Sequence, residues 1–225
     1  MTVVSLKAEN SGVGFATHVN GVFKIELSDG SSLLLTTDYL NDNSLSDGKL
    51  SEGGNSALLE TGRQLSSGEE YALRFAAACY RAERIALKLV ARAEQGSLGL
   101  TVKLERRGFE AEVAKAVVLR LMERNLLDDG RFAELWLRSR LALKKAPSPQ
   151  WLLVALGKRG IGRTSSLKAL DKVLDPQTEY ALLLKYLEKV RFPKGKRAFS
   201  LRAQLKHEGF SSETINRYFD NNEPR

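Results

Sequence analysis

Leu104-Glu105-Arg106-Arg107-Gly108-Phe109 returns as Leu156-Gly157-Lys158-Arg159-Gly160-Ile161 and again as Leu205-Lys206-His207-Glu208-Gly209-Phe210. The offsets are 52 and 49 residues. A unit of about fifty residues that recurs with apolar positions at helical spacing predicts a modular, mainly α array. In each copy a leucine ends an apolar helix face. A glycine then sits where a left-handed residue closes the helix, and a large apolar side chain packs back beneath it.

Outward from the first copy, Leu100 and Leu104 share one face of a short helix, and Val113, Val117, Val118 and Leu121 mark the next. Asp128 or Asp129 is placed to cap a third helix from about Arg131 to Lys145, which Pro147 stops. In the second copy Ser148 reads as a cap, with Pro149 in the first helical turn and Leu152, Leu153 and Leu156 as the inner face. Leu167, Leu170, Val173 and Leu174 line the following helix, and Asp175-Pro176 repeats the cap-and-proline pattern ahead of Tyr180, Leu183, Leu184 and Leu187. Pro193 ends that helix. The third copy runs through Leu201, Leu205, Phe210, Ile215, Tyr218 and Phe219, and Asn221 to Arg225 reads as a frayed tail. Helices this short are marginal alone, so each unit reads as a small three-helix bundle and the whole as an elongated array.

A long helix precedes the copies. Ser67 and Glu70 have capping-box spacing, and Tyr71, Phe75, Ala78, Ala82, Ile85 and Leu89 follow at helical steps to Gln95-Gly96. The first 35 residues have strand character. Phe23, Ile25 and Leu27 alternate with Lys24 and Glu26, Ser28-Asp29-Gly30-Ser31 is a turn, and Leu33-Leu34-Leu35 returns. Further strands are expected near Thr2 to Lys7 and Val13 to Thr17, and loops at Asn41-Asp42-Asn43-Ser44 and Ser51 to Ser56. These patterns give a small β-rich N-terminal segment over 1–66, loosely joined, then helical units over 67–129, 130–175 and 176–225.

The 225 residues carry a net charge of +8, and the charge is unevenly divided. Residues 1–70 hold four basic side chains (Lys7, Lys24, Lys49, Arg63) against ten acidic ones; the rest hold 31 basic and 17 acidic. The helical part alone is strongly cationic, which points to a polyanion or an acidic protein surface as partner. Lys103, Arg106 and Arg107 in the first unit and Lys158, Arg159 and Arg163 in the second occupy similar places beside the inner leucines. Arg202 and Lys206 follow in the third. Arg131, Arg138, Arg140, Lys144 and Lys145 decorate the connecting helix, and Lys194, Lys196 and Arg197 cluster beside Gly195. Positive groups repeated at a fixed step suit a phosphate backbone or a helical protein filament.

Catalytic constellations are missing from the pattern. His18 and His207 are far apart, and Cys79 stands alone in an alanine-rich stretch, where it reads as a core residue. No metal-ligand spacing, phosphate loop or nucleophile elbow occurs, Gly12-Val13-Gly14 lacks a third glycine, and Asp128-Asp129 is explained by capping. The expectation is a non-enzymatic protein without metal or cofactor. No run is long and apolar enough for a membrane span, no secretory leader is visible, and the cysteine usage suits a cytoplasmic setting.

Leu126-Leu127-Asp128-Asp129-Gly130-Arg131-Phe132-Ala133, followed by Arg138-Ser139-Arg140, resembles the signature of the RecX family. Lys103-Leu104-Glu105-Arg106-Arg107-Gly108-Phe109 and Leu156 to Ile161 are similar to that family's two copies of a leucine–basic–glycine segment. The resemblance covers about residues 70–220. It departs at Ser97-Leu98-Gly99-Leu100-Thr101, which lacks the usual acidic residue, and at Lys145-Ala146-Pro147, where the family has Lys-Gly-Pro. It implies tandem three-helix repeats and a cytoplasmic regulator, acting as a monomer, that binds the filament of RecA recombinase on single-stranded DNA. Such a regulator would lodge in the filament groove and inhibit ATPase and strand exchange, with no catalytic residues. The alternative is a general DNA-binding protein of helix-turn-helix type, acting without RecA on single- or double-stranded DNA.

Overall fold

The structure, a computed structural model, describes residues 1–9, 22–40, 60–143, 146–190 and 198–222. The strand expected near Val13 to Thr17, the two asparagine- and glycine-rich loops, His18 and Pro193 lie outside the described residues. Among the described residues the chain forms three strands and nine α-helices, in two compact units.

The first unit comprises Met1–Arg92 and Thr101–Glu123. Strands β1 (Val3–Glu9), β2 (Val22–Leu27) and β3 (Ser32–Thr36) form an antiparallel sheet in that order, with Phe23 opposite Leu35 and Ile25 opposite Leu33. The register shifts between Val3 and Ser5, a bulge that leaves Val3 opposite Leu27 and Ser5 opposite Glu26. Val3, Ile25, Leu27 and Leu35 are buried. The sheet is joined to the rest more closely than its sequence suggested, because Arg74 of helix α1 (Ser67–Arg92) pairs with Asp29 of the β2–β3 turn at 2.8 Å, and the segment before α1 is itself tied to the sheet. Val3 donates its amide to the Arg63 carbonyl at 3.0 Å, and Leu65 donates to Met1 at 2.6 Å.

α1 starts one residue earlier than its expected capping box. Ser66 and Glu69 form the box: the Glu69 amide donates to Ser66 Oγ at 3.3 Å, and the Ser66 amide donates to Glu69 Oε2 at 2.8 Å. The buried face of α1 is also displaced from the expected stripe. Ala72, Leu73, Ala76, Cys79, Ala82, Glu83 and Ala86 are buried, whereas Tyr71 is 51% exposed and Phe75, Ala78 and Ile85 are only half-buried. Small side chains allow a close approach to the sheet, which the larger residues of the expected face would prevent. Cys79 is a buried core residue as expected. Helix α3 (Ala111–Glu123) buries Val113, Ala114, Val117, Val118 and Leu121.

The second unit comprises Ala93–Leu100 and Arg124–Arg225. Helix α2 (Ser97–Glu105) begins in it. Its first residue is capped from α4 (Asp129–Leu141): Asp129 accepts the Ser97 amide and hydroxyl, both at 2.7 Å. Asp128 caps α4 itself through the Gly130 and Arg131 amides. Ala133 and Leu137 of α4 share a core with Leu152 and Leu156 of α5 (Pro149–Gly157), Ile161, and Ala169 and Leu170 of α6 (Arg163–Val173). A further core joins Leu182 and Leu183 of α7 (Pro176–Lys189) to Leu205 of α8 (Ala198–His207), Phe210, and Ile215 and Phe219 of α9 (Ser212–Asn222).

Ser148 and Asp175 cap α5 and α7, each ahead of a first-turn proline, as the sequence indicated. Two helix ends differ. α4 closes at Leu141 rather than near Lys145, since Ala146 turns inward to the core of the last bundle. α9 extends through Asn222, where the Asn222 side chain donates to the Tyr218 carbonyl at 2.8 Å, so Asn221 and Asn222 are helical rather than frayed. Gly108, Gly160 and Gly209 all have positive φ, at 87°, 82° and 85°. In each copy the residue after the glycine donates its amide to the buried leucine five positions back: Phe109 to Leu104, Ile161 to Leu156, Phe210 to Leu205. No helix of the described residues is long and apolar enough to cross a membrane.

Candidate nucleic-acid interface

Helices α4 and α5 of the second unit, with the turn that follows α5, build one cationic, aromatic site. Trp136 and Arg140 stand four residues apart on α4, so their side chains fall on the same face, while Ala133 and Leu137 point to the core. Across from them α5 is fixed at its start by Ser148, whose hydroxyl accepts the Trp151 amide at 3.3 Å. Arg159 follows α5 and folds back on it, its Nη1 donating to the Ala155 carbonyl at 2.7 Å.

These side chains meet in a layered arrangement. The rings of Trp136 and Trp151 have centroids 6.4 Å apart and planes inclined by 21°. The Arg159 guanidinium lies 4.4 Å and that of Arg140 5.2 Å from the Trp136 ring centre. Each contact is a cation–π attraction worth about 0.5–1 kcal/mol at a site open to water. The arrangement brings two like charges together, and among the described residues neither arginine forms an ion pair with a carboxylate. Arg140 Nε is buried without a hydrogen-bond partner. Burial, and then the nearby Arg140 charge, hold the Arg159 pKa below its ordinary value. An anion near either guanidinium offsets the repulsion between these like charges.

The space for such a ligand is present. A cleft of about 770 Å³ opens beside the arginines, lined also by Leu143, Pro147, Trp151 and Val154. Trp151 is 52% exposed, and Leu143 and Val154 are exposed to a similar degree. Lys189 and Glu208 contribute one charge of each sign, so the lining is net positive.

The other basic residues indicated by the sequence are placed as follows. Lys103 lies in the last turn of α2, and Arg106 and Arg107 follow the helix, all three exposed. Arg107 donates to the Lys103 carbonyl at 2.8 Å and lines a second cleft, of about 790 Å³, with Phe75, Phe109, Arg81 and Arg84 in the first unit. Arg138, Lys158, Arg163 and Lys206 are exposed. Two others are already engaged. Arg131 pairs with Glu94 at 2.7 Å, and Arg202 lies 4.2 Å over the Phe219 ring and donates to Asn216 at 2.7 Å. Lys144, Lys145, Lys194, Lys196 and Arg197 lie outside the described residues.

Sequence reasoning found the arginines of the site but not its tryptophans. The signal was available: Trp136 and Trp151 are the only tryptophans of the chain, and Trp136 precedes Arg140 by one helical turn. Among the described residues no group of three or more His, Cys, Asp or Glu side chains could hold a metal ion.

No family model matches the chain. It is 39% identical over 150 residues to the regulatory protein RecX of Treponema pallidum (strain Nichols), covering 66% of this chain and 90% of the relative. It is 32% identical over 136 residues to the regulatory protein RecX of Halorhodospira halophila, covering 58% of this chain and 81% of the relative. The crystal structure of a regulatory protein RecX superposes with a TM-score of 0.61 at 18% identity, covering 96% of this chain and 97% of that one. At that identity the likeness is one of fold.

Proposed function

This chain belongs to the RecX family of regulatory proteins, and from that premise we propose that it modulates RecA recombinase by binding the RecA–single-stranded DNA filament, as a non-enzymatic inhibitor in the cytoplasm. The observation that carries the reading is the placement of Arg140 and Arg159 over Trp136: two guanidiniums against one ring, neither in an ion pair with a carboxylate among the described residues, beside an open cleft. Such a pair suits a phosphate backbone or an acidic protein surface, and a nucleoprotein filament presents both. The exposed Arg106, Arg107, Arg138, Lys158 and Arg163 add weaker contacts. Several such contacts made at once by a monomer give useful affinity without a single dominant pocket. Bound across neighbouring subunits, the protein hinders the movements that ATP turnover requires.

The test is the DNA-dependent ATPase of RecA from the same organism, measured with increasing amounts of this protein. The rate is expected to fall as the protein approaches the amount that saturates the filament. An unchanged rate at stoichiometric amounts ends the reading. Tight binding to duplex DNA without RecA, together with an unchanged ATPase, favours the helix-turn-helix alternative instead.

A further inference from the structure

The cleft beside Arg140 and Arg159 has a feature that charge alone does not require. Its wall is a tryptophan ring left half in water, flanked by the exposed Leu143 and Val154. A carboxylate or an isolated phosphate would satisfy the guanidiniums and leave this apolar surface wet. A nucleotide matches both halves of the site, because it carries a phosphate and a planar ring on one short sugar linkage. Bases inside a duplex are stacked on their neighbours and cannot reach a side-chain ring, whereas unpaired bases can. The Trp136–Trp151 pair, capped by Arg159, already forms a layer that one more planar group extends.

We propose that this cleft is a binding site for unpaired nucleotides, in which a base stacks on the Trp151 indole and the adjoining phosphate lies between Arg140 and Arg159. The inference rests on the reading of the protein as a partner of a nucleoprotein filament, and it deepens that reading: the protein grips the single strand through its bases as well as its charge, and does so without RecA. The Ser148 cap fixes the Trp151 backbone, and the Ala155 carbonyl holds the Arg159 guanidinium, before any ligand arrives, which lowers the entropic cost of binding.

Both tryptophans of the chain lie at the site, so intrinsic fluorescence reports on it directly. The full chain is titrated with a fifteen-residue oligothymidylate at low salt, without RecA, following tryptophan emission and the anisotropy of a labelled oligonucleotide. Emission should be quenched with the same midpoint as the anisotropy change. Trp151→Leu should weaken binding about tenfold, and Trp151→Phe should restore most of the loss, as expected for base stacking. Neither change should alter the salt dependence. Arg140→Gln and Arg159→Gln should each lower the salt slope by about 0.7. A duplex of equal length and inorganic polyphosphate should bind with much less quenching.

Oligothymidylate binding that leaves tryptophan emission unchanged and survives Trp151→Leu would place the strand elsewhere and overturn the proposal. Equal quenching by polyphosphate would reduce the cleft to a general anion site. Competition by polyglutamate, stronger than by the oligonucleotide, would make it a docking site for acidic protein. Absence of any binding to the oligonucleotide also overturns it. RecA ATPase inhibition, assayed in parallel, separates this proposal from the proposed function. Inhibition that persists when strand binding fails sinks the nucleotide site alone, whereas strand binding with no effect on RecA sinks the regulatory reading alone.

Discussion

A Cβ atom built on Gly160 would lie 2.5 Å from Leu98 Cβ. Gly160 has φ of 82° at the turn between α5 and α6, and Leu98 is the second residue of α2. The obstacle is an atom attached directly to a helix backbone, so no rotamer change of Leu98 removes it. At Gly108, the equivalent position of the first copy, φ is 87° and nothing lies within 4 Å of the added Cβ. Gly108→Ala therefore meets only the left-handed backbone penalty, about 1–2 kcal/mol, whereas Gly160→Ala adds an overpacking cost of about 1–3 kcal/mol. Urea unfolding of the two variants should show Gly160→Ala as the more destabilised by at least about 1 kcal/mol. Equal losses would mean that α2 yields freely at Leu98.

Glu179 is a buried carboxylate on α7 with three donors directed at it. The Ser211 amide reaches it at 2.8 Å, and the Ser211 and Thr214 hydroxyls at 2.6 Å each. It thus fastens the start of α9 to α7. Glu179→Ala leaves these donors without their acceptor and should cost about 2–3 kcal/mol. Glu179→Gln keeps one acceptor oxygen and should cost roughly half as much. Hydrogen exchange should localise the effect to the α9 amides, and uniform protection in the Glu179→Ala variant would refute a fastening role.

The Asp29 carboxyl, in the β2–β3 turn, is held down to about 2. The Ser31 hydroxyl is the largest cause, followed by the Ser31 amide and the guanidinium of Arg74, which pairs with it at 2.8 Å. A carboxyl whose folded pKa is depressed contributes stability above its unfolded pKa, near 3.8, and loses it as pH falls through the folded value. Asp29→Asn should therefore melt at a lower temperature than the parent at pH 6, with the gap closing between pH 4 and pH 2. A gap that stays constant over that interval would assign the effect to hydrogen-bond geometry alone.

The repeats were legible because their helix ends are written in local chemistry. Leucine, glycine and a large apolar residue at fixed spacing require the positive φ seen at Gly108, Gly160 and Gly209, and Ser148-Pro149 and Asp175-Pro176 specify their caps within three residues. The rotation of α1 was not legible. Its sequence offers an aromatic stripe through Tyr71 and Phe75, but the sheet chooses the alanine-rich face, and that face includes the buried Glu83 that periodicity counts as polar. The sequence offers Asp128 or Asp129 as the cap of α4; Asp128 takes that place, and the second carboxylate, Asp129, caps α2 across 32 residues, a tertiary fact with no local trace. The candidate site was half legible. Charge counting reached Arg140 and Arg159 but treated them like Arg131 and Arg202, which are already bound to Glu94 and Asn216. Only the fold separates engaged cations from unmatched ones.

That separation leads to a last expectation about stability and binding together. Removing Arg159 deletes a cation–π contact of about 0.5–1 kcal/mol and also relieves its repulsion with Arg140, a partly exposed pair for which solvent limits the effect to a few tenths of a kcal/mol. The relief offsets part of that loss, and the hydrogen bond to the Ala155 carbonyl is lost as well, so Arg159→Gln should lower the unfolding free energy by about 1 kcal/mol. Arg131→Gln breaks the exposed Glu94 pair and should be similarly small in stability, about 0–1 kcal/mol. In binding the two should diverge. Arg159→Gln should weaken association with the RecA–DNA filament severalfold in dilute salt and by less as salt rises, whereas Arg131→Gln should leave it nearly unchanged, its charge being matched by Glu94 already. Sedimentation of the filament with each variant at two salt concentrations measures the contrast. Equal losses would show that net charge, rather than the unmatched pair over Trp136, governs the interaction.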